Sequence, residues 1–130
     1  MFRDSQAFSS YSVDDIDAAR DFYSDKLGLS VEKSEMGTLE VKVGSGQTVM
    51  LYPKPNHEPA TFTVLNIVVR DVVKAVDDLA AAGITMARYD DIPDINQDAK
   101  GISRDDRGGP AIAWFRDPAG NVIAVMELPS

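Results

Sequence analysis

One supersecondary unit is written twice in this chain, and a doubled unit restricts the fold more than any single motif does. Residues 13–29 read VDDIDAARDFYSDKLGL and residues 69–84 read VRDVVKAVDDLAAAGI. At one constant offset Val13 falls on Val69, Asp15 on Asp71, Ile16 on Val72, Ala19 on Ala75 and Tyr23 on Leu79. A gap of one residue then lays Leu27, Gly28 and Leu29 over Ala82, Gly83 and Ile84. The physical roles agree as well. An aspartate stands where each helix would begin and can cap free backbone N–H groups. Apolar residues then recur at helical spacing, and a glycine closes each segment. A helix with one apolar face needs a sheet to cover it.

Strands are expected on both sides of each helix. Residues 7–13 precede the first, and residues 61–69, TFTVLNIVV, precede the second with the β-branched and aromatic content of a strand. After the first helix the pattern predicts strands at 30–34, 38–43 and 47–52, the last two joined by a Gly44-Ser45-Gly46 turn. After the second it predicts strands at 85–89, 111–116 and 122–128, the last pair joined by a turn over 117–121. The order is βαβββ, twice, an α+β architecture with modules at about 7–52 and 61–128. Residues 53–60, with Pro53, Pro55 and Pro59, form a stiff connector unable to join a central strand. The polar stretch 90–109 is longer than the ~12–15 residues of an ordinary connection, which leaves a functional lid or a disordered segment as its two readings.

Composition narrows the functions. With 13 Lys and Arg against 21 Asp and Glu, the formal charge of −8 would repel phosphate backbones and anionic membranes, so neither nucleic acid nor a membrane is an expected partner. The absence of cysteine excludes disulfides, thiolate metal sites and cysteine nucleophiles together. The opening MFRDSQAFSS has no apolar run of a secretory signal, and no stretch approaches the ~20 apolar residues of a membrane span. A soluble, cytoplasmic protein is expected.

The doubled βαβββ plan, with Val-x-Asp-Ile-x-x-Ala-x-x-Phe-Tyr-x-x-x-Leu-Gly-Leu at 13–29 and Trp-Phe-x-Asp-Pro-x-Gly-Asn at 114–121, resembles the vicinal oxygen chelate superfamily of glyoxalase I, bleomycin resistance proteins and extradiol dioxygenases. The resemblance runs from about Phe8 to Leu128. It implies that the modules curl into a curved mixed sheet with a cleft, helices outside, and that the chain forms a homodimer. Metal-dependent members take ligands from the first and last strand of each module. Carried over by spacing, those positions are Phe8, Met50, Val64 and Ala124, and none offers an oxygen or imidazole. A register slip of one residue gives Ser9, Leu51, Leu65 and Val125, no better. No metal and no cofactor are therefore expected.

Strand alternation places Phe8, Ser10 and Ser12 on one face, with Val64, Asn66 and Val68 on its counterpart, and Met50, Tyr52, Ala124 and Met126 completing the wall. These residues line a small-molecule pocket or fill a core; the pattern alone allows both. Trp114 could stack on an aromatic or cationic ligand or pack under a helix, depending on the length of the 117–121 turn. If Trp114 faces the cleft, the repeat brings Glu40 and Lys42 to the equivalent side, as an acid–base pair if buried or a solvated face if not. His57 could act as a base, but it lies among the prolines of the connector. Asp94-x-Asn96-x-Asp98 imitates a calcium loop, yet Ala99 and Asp105 stand where glycine and glutamate belong, so calcium is not expected. Asp90, Asp91, Asp94, Asp98, Asp105 and Asp106 read as a solvated acidic rim that would favour cationic ligands.

Two functions follow. The first is a metal-free protein that sequesters an aromatic or cationic compound; the second is a glyoxalase-like or dioxygenase-like enzyme, metal-independent or with an unrecognised metal site.

Overall fold

In the computed structural model, which describes residues 1–44 and 46–130, an aspartate opens each helix by reaching back to backbone N–H groups. Asp15 accepts from the amides of Asp17 and Ala18 at 3.1 and 3.0 Å, and Asp71 accepts from Lys74 at 3.1 Å. The described residues divide into two compact units, Met1–Glu58 and Pro59–Ser130. Ser45, the centre of the expected Gly44-Ser45-Gly46 turn, lies outside the described residues.

In the first unit, β1 (Ser9–Val13) leads into α1 (Ile16–Asp21), which widens into a π-helical turn over Phe22–Lys26. Strands β2 (Ser30–Lys33), β3 (Leu39–Val43) and β4 (Gln47–Pro53) follow, and the sheet order is β1-β4-β3-β2 with only the β1·β4 pair parallel. The wide turn closes with the Leu27 amide donating to the Phe22 carbonyl at 3.1 Å. It buries the neighbours Phe22 and Tyr23 edge to face, 5.3 Å apart. The Tyr23 hydroxyl meets that of Tyr11 at 2.7 Å, tying helix to sheet within a core that includes Val13, Leu39, Val41 and Leu51. Gly28 takes φ +70° after the helix, a conformation that costs a β-carbon residue about 1 kcal/mol or more.

The connector expected over 53–60 begins later than the prolines suggest. Pro53 is the last residue of β4 and pairs with Val13, because a missing N–H is tolerated at a strand terminus, and the Lys54 amide continues the ladder to the Val13 carbonyl at 2.9 Å.

The second unit repeats the plan with β5 (Thr63–Val68), α2 (Val72–Ala81), β6 (Ser103–Arg104), β7 (Ala111–Arg116) and β8 (Val122–Glu127), in the order β5-β8-β7-β6. The register repeats too. Ser10 faces Met50 and Met50 faces Glu40 in one sheet; Asn66 faces Ala124 and Ala124 faces Trp114 in the other. The result is α+β, two four-stranded mixed sheets, each with one helix in its own unit.

Residues 85–89, expected as a strand, join no ladder. The two-residue β6, inside the stretch expected to be irregular, takes the edge of the sheet, and an isolated bridge joins Gln97 to Ser103. The segment 85–89 is held by a backbone bond from Ala87 to Trp114 and by the side chain of Gln97.

The Asp-Pro-x-Gly-Asn signature is a structural turn. Asp117 and Asn121 are buried; Asp117 accepts from the amides of Ala119 and Asn121 at 3.0 and 2.8 Å, and from the Asn121 side-chain amide at 3.0 Å. Asp117→Ala strands these donors and should lower stability by about 3 kcal/mol, read as a fall in the urea midpoint without a change in slope.

Candidate functional site

Each helix covers one face of its sheet, so the site residues sort by face. In the first unit Tyr11, Val13, Leu39, Val41, Val49 and Leu51 are buried on the helix side. The alternate residues Ser10, Met50, Glu40 and Glu32 form one row across the other face, and Ser12 with Tyr52 forms the next. Ser10, Glu40 and Lys42 are exposed, while Ser12, Met50 and Tyr52 are half-buried. Phe8 falls just before β1 and is 69% exposed. Glu40 and Lys42 do share the Met50 face, and the solvated alternative holds for them: Lys42 reaches Glu32 at 3.8 Å.

Ser12 does more than line this face. Its Oγ lies 2.6 Å from His57 Nδ1. The backbone holds the imidazole there, because the His57 amide donates to Lys54 and the Lys54 amide to Val13. Sequence spacing gave no sign of this pair, since 45 residues separate its members.

In the second unit the row opposite the helix is Asn66, Ala124 and Trp114, followed by Val68, Met126 and Ile112. Asn66 and Val68 are exposed; Met126, Ile112 and Trp114 are half-buried. Ala124 is fully buried, so that position is occupied by packing. Val64 sits at an irregularity between Thr63 and Leu65 in the β5·β8 pairing. The pairing settles the orientation of Trp114: it lies on the Asn66 face, and the helix side takes Ala113 and Phe115.

Trp114 is also the back wall of a cavity of about 540 Å³ contained in this unit. Ile95, Pro110 and Ile112 add apolar surface, while Asp94, Asp105, Asp106 and Arg107 line it from the 90–109 stretch. Such a volume and a mixed lining suit a small molecule. Tyr89 stands against the indole, ring centroids 5.3 Å apart and planes at 88°. All six rim aspartates are exposed. The length of the loop, its aspartates and Trp114 were the sequence signals for this cavity; Ile95, Arg107 and Pro110 had none of their own, nor had Tyr89 beside it.

The loop is ordered by Asp98, whose side chain turns away from a ligand role and into its own backbone. It accepts from the amides of Ile102 and Lys100 at 3.0 and 2.9 Å and from the Arg104 guanidinium at 2.7 Å. The Ile102 amide foremost, opposed next by desolvation and aided by the Arg104 contact and the Lys100 amide, holds its carboxyl below the usual aspartate range.

The four positions that metal-dependent relatives would use are occupied by Phe8, Met50, Val64 and Ala124. Their side chains carry no oxygen or nitrogen donor and do not fit a divalent ion. Among the described residues no group of three or more His, Asp or Glu side chains is placed to hold a metal. Glu127, the carboxylate of the last strand, caps α2 by accepting from the Val72 amide at 3.0 Å.

Two βαβββ units with matching register define a paired-module α+β fold with one helix-free sheet face in each unit. The chain belongs to the Glyoxalase/Bleomycin resistance protein/Dioxygenase superfamily, whose family model matches residues 7–125. Among solved structures it is similar to a putative glyoxalase family protein from Bacillus anthracis, at 22% identity and TM-score 0.68 over 98% of this chain and 99% of that one. An antibiotic binding protein from a Streptomyces species shares 23% identity with TM-score 0.65, covering 98% of each chain. A fosfomycin resistance protein from Listeria monocytogenes shares 10% identity with TM-score 0.70, over 95% of this chain and 92% of that one. Comparison with curated proteins gives no match. No helix among the described residues is long and apolar enough to cross a membrane.

The Asp98 contacts set a pH dependence. A carboxyl with a depressed folded pKa contributes stability that is present above its unfolded pKa and is lost as pH falls through the lower folded value. Trp114 emission should therefore shift as the loop loosens below the ordinary aspartate range, and Asp98→Ala should show the loosened emission at neutral pH without that acid step.

Proposed function

We propose that this chain is a metal-free small-molecule-binding protein that sequesters an aromatic or cationic compound without changing it. The observation that carries this reading is the cavity walled by Trp114, where Asp94, Asp105 and Asp106 outnumber Arg104 and Arg107 among the lining residues. An indole face attracts aromatic rings and cations, and a carboxylate rim raises the local concentration of positive charge. Taken unit by unit, the other residues proposed to meet a ligand are Phe8, Ser10, Ser12, Met50 and Tyr52 in the first unit, and Val64, Asn66 and Met126 in the second. The unsuitable side chains at the four metal positions support a metal-free role, and a protein of the same fold described as antibiotic-binding supports small-molecule binding. A cytoplasmic homodimer is part of this proposal.

A second reading, an enzyme that works without metal, is favoured by the Ser12–His57 contact, which places a base beside a hydroxyl on the helix-free face.

Elemental analysis of the protein, as isolated and after incubation with divalent ions, tests the first point: metal well below one per chain is expected, and stoichiometric metal would overturn it. Proflavine, a planar aromatic cation, should quench Trp114 saturably and be recovered unchanged, with affinity about ten-fold weaker in Trp114→Ala followed by dye fluorescence. Chemical alteration of an added compound, abolished by His57→Gln, would favour the enzyme.

A further inference from the structure

The strand expected at 85–89 is not formed in the second unit, and a single side chain serves two backbone groups of that segment. Gln97 Oε1 accepts from the Tyr89 amide at 2.6 Å while Gln97 Nε2 donates to the Ala87 carbonyl at 2.9 Å. An N–H and a C=O two residues apart, both satisfied by one amide, reproduce the pairing that a neighbouring strand would make. Nε2 also donates to the Gly101 carbonyl at 2.9 Å, so its two protons are both used. Gly101 is buried with φ +85°, and a Cβ there would come within 3.2 Å of Met86 Cβ. The backbone of Gln97 bridges to Ser103 in β6.

From this geometry we infer that Gln97 is a positioning residue of the ligand site: its amide fixes Tyr89 across Trp114 and anchors the loop that closes the cavity. The site it positions is the one proposed above, and the inference rests on that reading for its functional meaning. Gln97 does not line the cavity, so its effect on a ligand passes through Tyr89 and through the loop on either side of it, Asp94 to Asn96 and Ser103 to Arg107. An indole wall on β7 braced by Tyr89, beside a loop already anchored, needs less ordering when the ligand arrives, which raises affinity without a new contact. The interaction is also specific to an amide. A carboxylate in its place would confront the carbonyls of Ala87 and Gly101 with no proton to donate, whereas the protonated acid restores one donor. The charged groups nearest the cluster are Arg88, whose guanidinium donates to the Asp98 carbonyl, and the Asp98–Arg104 pair. Asp98 is held in its charged form into the acid range, so mild acid changes a glutamate at position 97 and leaves this pair intact.

The test uses the full chain with Gln97→Leu and Gln97→Glu, Trp114 as the sole tryptophan, acrylamide as quencher and proflavine as probe. Gln97→Leu should raise acrylamide quenching of Trp114 about two-fold and weaken proflavine about ten-fold, with the far-ultraviolet spectrum unchanged. Gln97→Glu should behave in the same way near pH 8 and recover towards the parent near pH 5, where the parent itself does not change. Recovery on protonation is the readout that mere loss of packing would not give. Parent-like quenching in both variants, or no recovery in Gln97→Glu, overturns the inference. If Gln97→Leu fails to fold, the pH response of Gln97→Glu decides alone. If proflavine fails to bind the parent, the proposed function loses its support, while the quenching data still decide whether Gln97 positions Tyr89 and Trp114.

Discussion

One helix covers one face of a four-stranded sheet, and every other feature of this molecule follows from that shortage of cover. In each unit the helix takes the row it can reach: Leu39, Val41, Leu51 and Tyr11 in the first, Ala113, Phe115, Ile123 and Val125 in the second. The alternate residues of the same strands have no helix of their own unit against them. The first unit fills that face with Ser10, Glu40 and Lys42, which water can solvate. The second fills it with Ala124, Met126, Ile112 and Trp114, and places the loop and Tyr89 beside the indole. Burial of apolar area stabilises by roughly 25 cal/mol per Å², so the two units are held by their helix sides and differ where packing leaves them free.

The polar groups that organise the fold are mostly consumed by it. Asp15, Asp71 and Glu127 are spent on helix amides, Asp117 on its own turn, Asp98 on its own loop. An acidic chain of this size invites the search for metal ligands, but these carboxylates are turned towards backbone N–H groups. Apart from the solvated Glu32, Glu40 and Lys42 of the first unit, the side chains on the helix-free faces are hydroxyls, amides, hydrocarbon and an indole, a set suited to holding an organic molecule.

The helices, their aspartate caps, the closing glycines and the strands at 111–116 and 122–128 were legible because local chemistry and packing agree there. That Glu40 and Lys42 take the helix-free face of their own sheet, as Trp114 does of its own, was legible only through the repeat, since alternation fixes the face once the pairing is known. Three things were not legible. Pro53 in β4 depends on its being the terminal residue, which a pattern cannot see. Residues 85–89 have the composition of a strand, yet beyond the Ala87–Trp114 backbone bond they are held by the side chain of Gln97, and propensity carries no information about such a substitute. The Ser12–His57 contact is made by residues distant in sequence with no spacing rule to connect them.

The division of each strand into a packed row and an unpacked row bears on how such a chain can change over evolutionary time. Substitutions at Leu39, Val41 or Phe115 meet a close-packed helix and are felt as cavities or clashes. Substitutions at Ser10, Glu40, Lys42 or Asn66 meet almost nothing. A lineage can therefore exchange its binding surface residue by residue at nearly constant stability, and after duplication the two copies are free to drift towards different surface chemistries on one retained scaffold. The polar face of the first unit and the aromatic face of the second are what such independent drift produces.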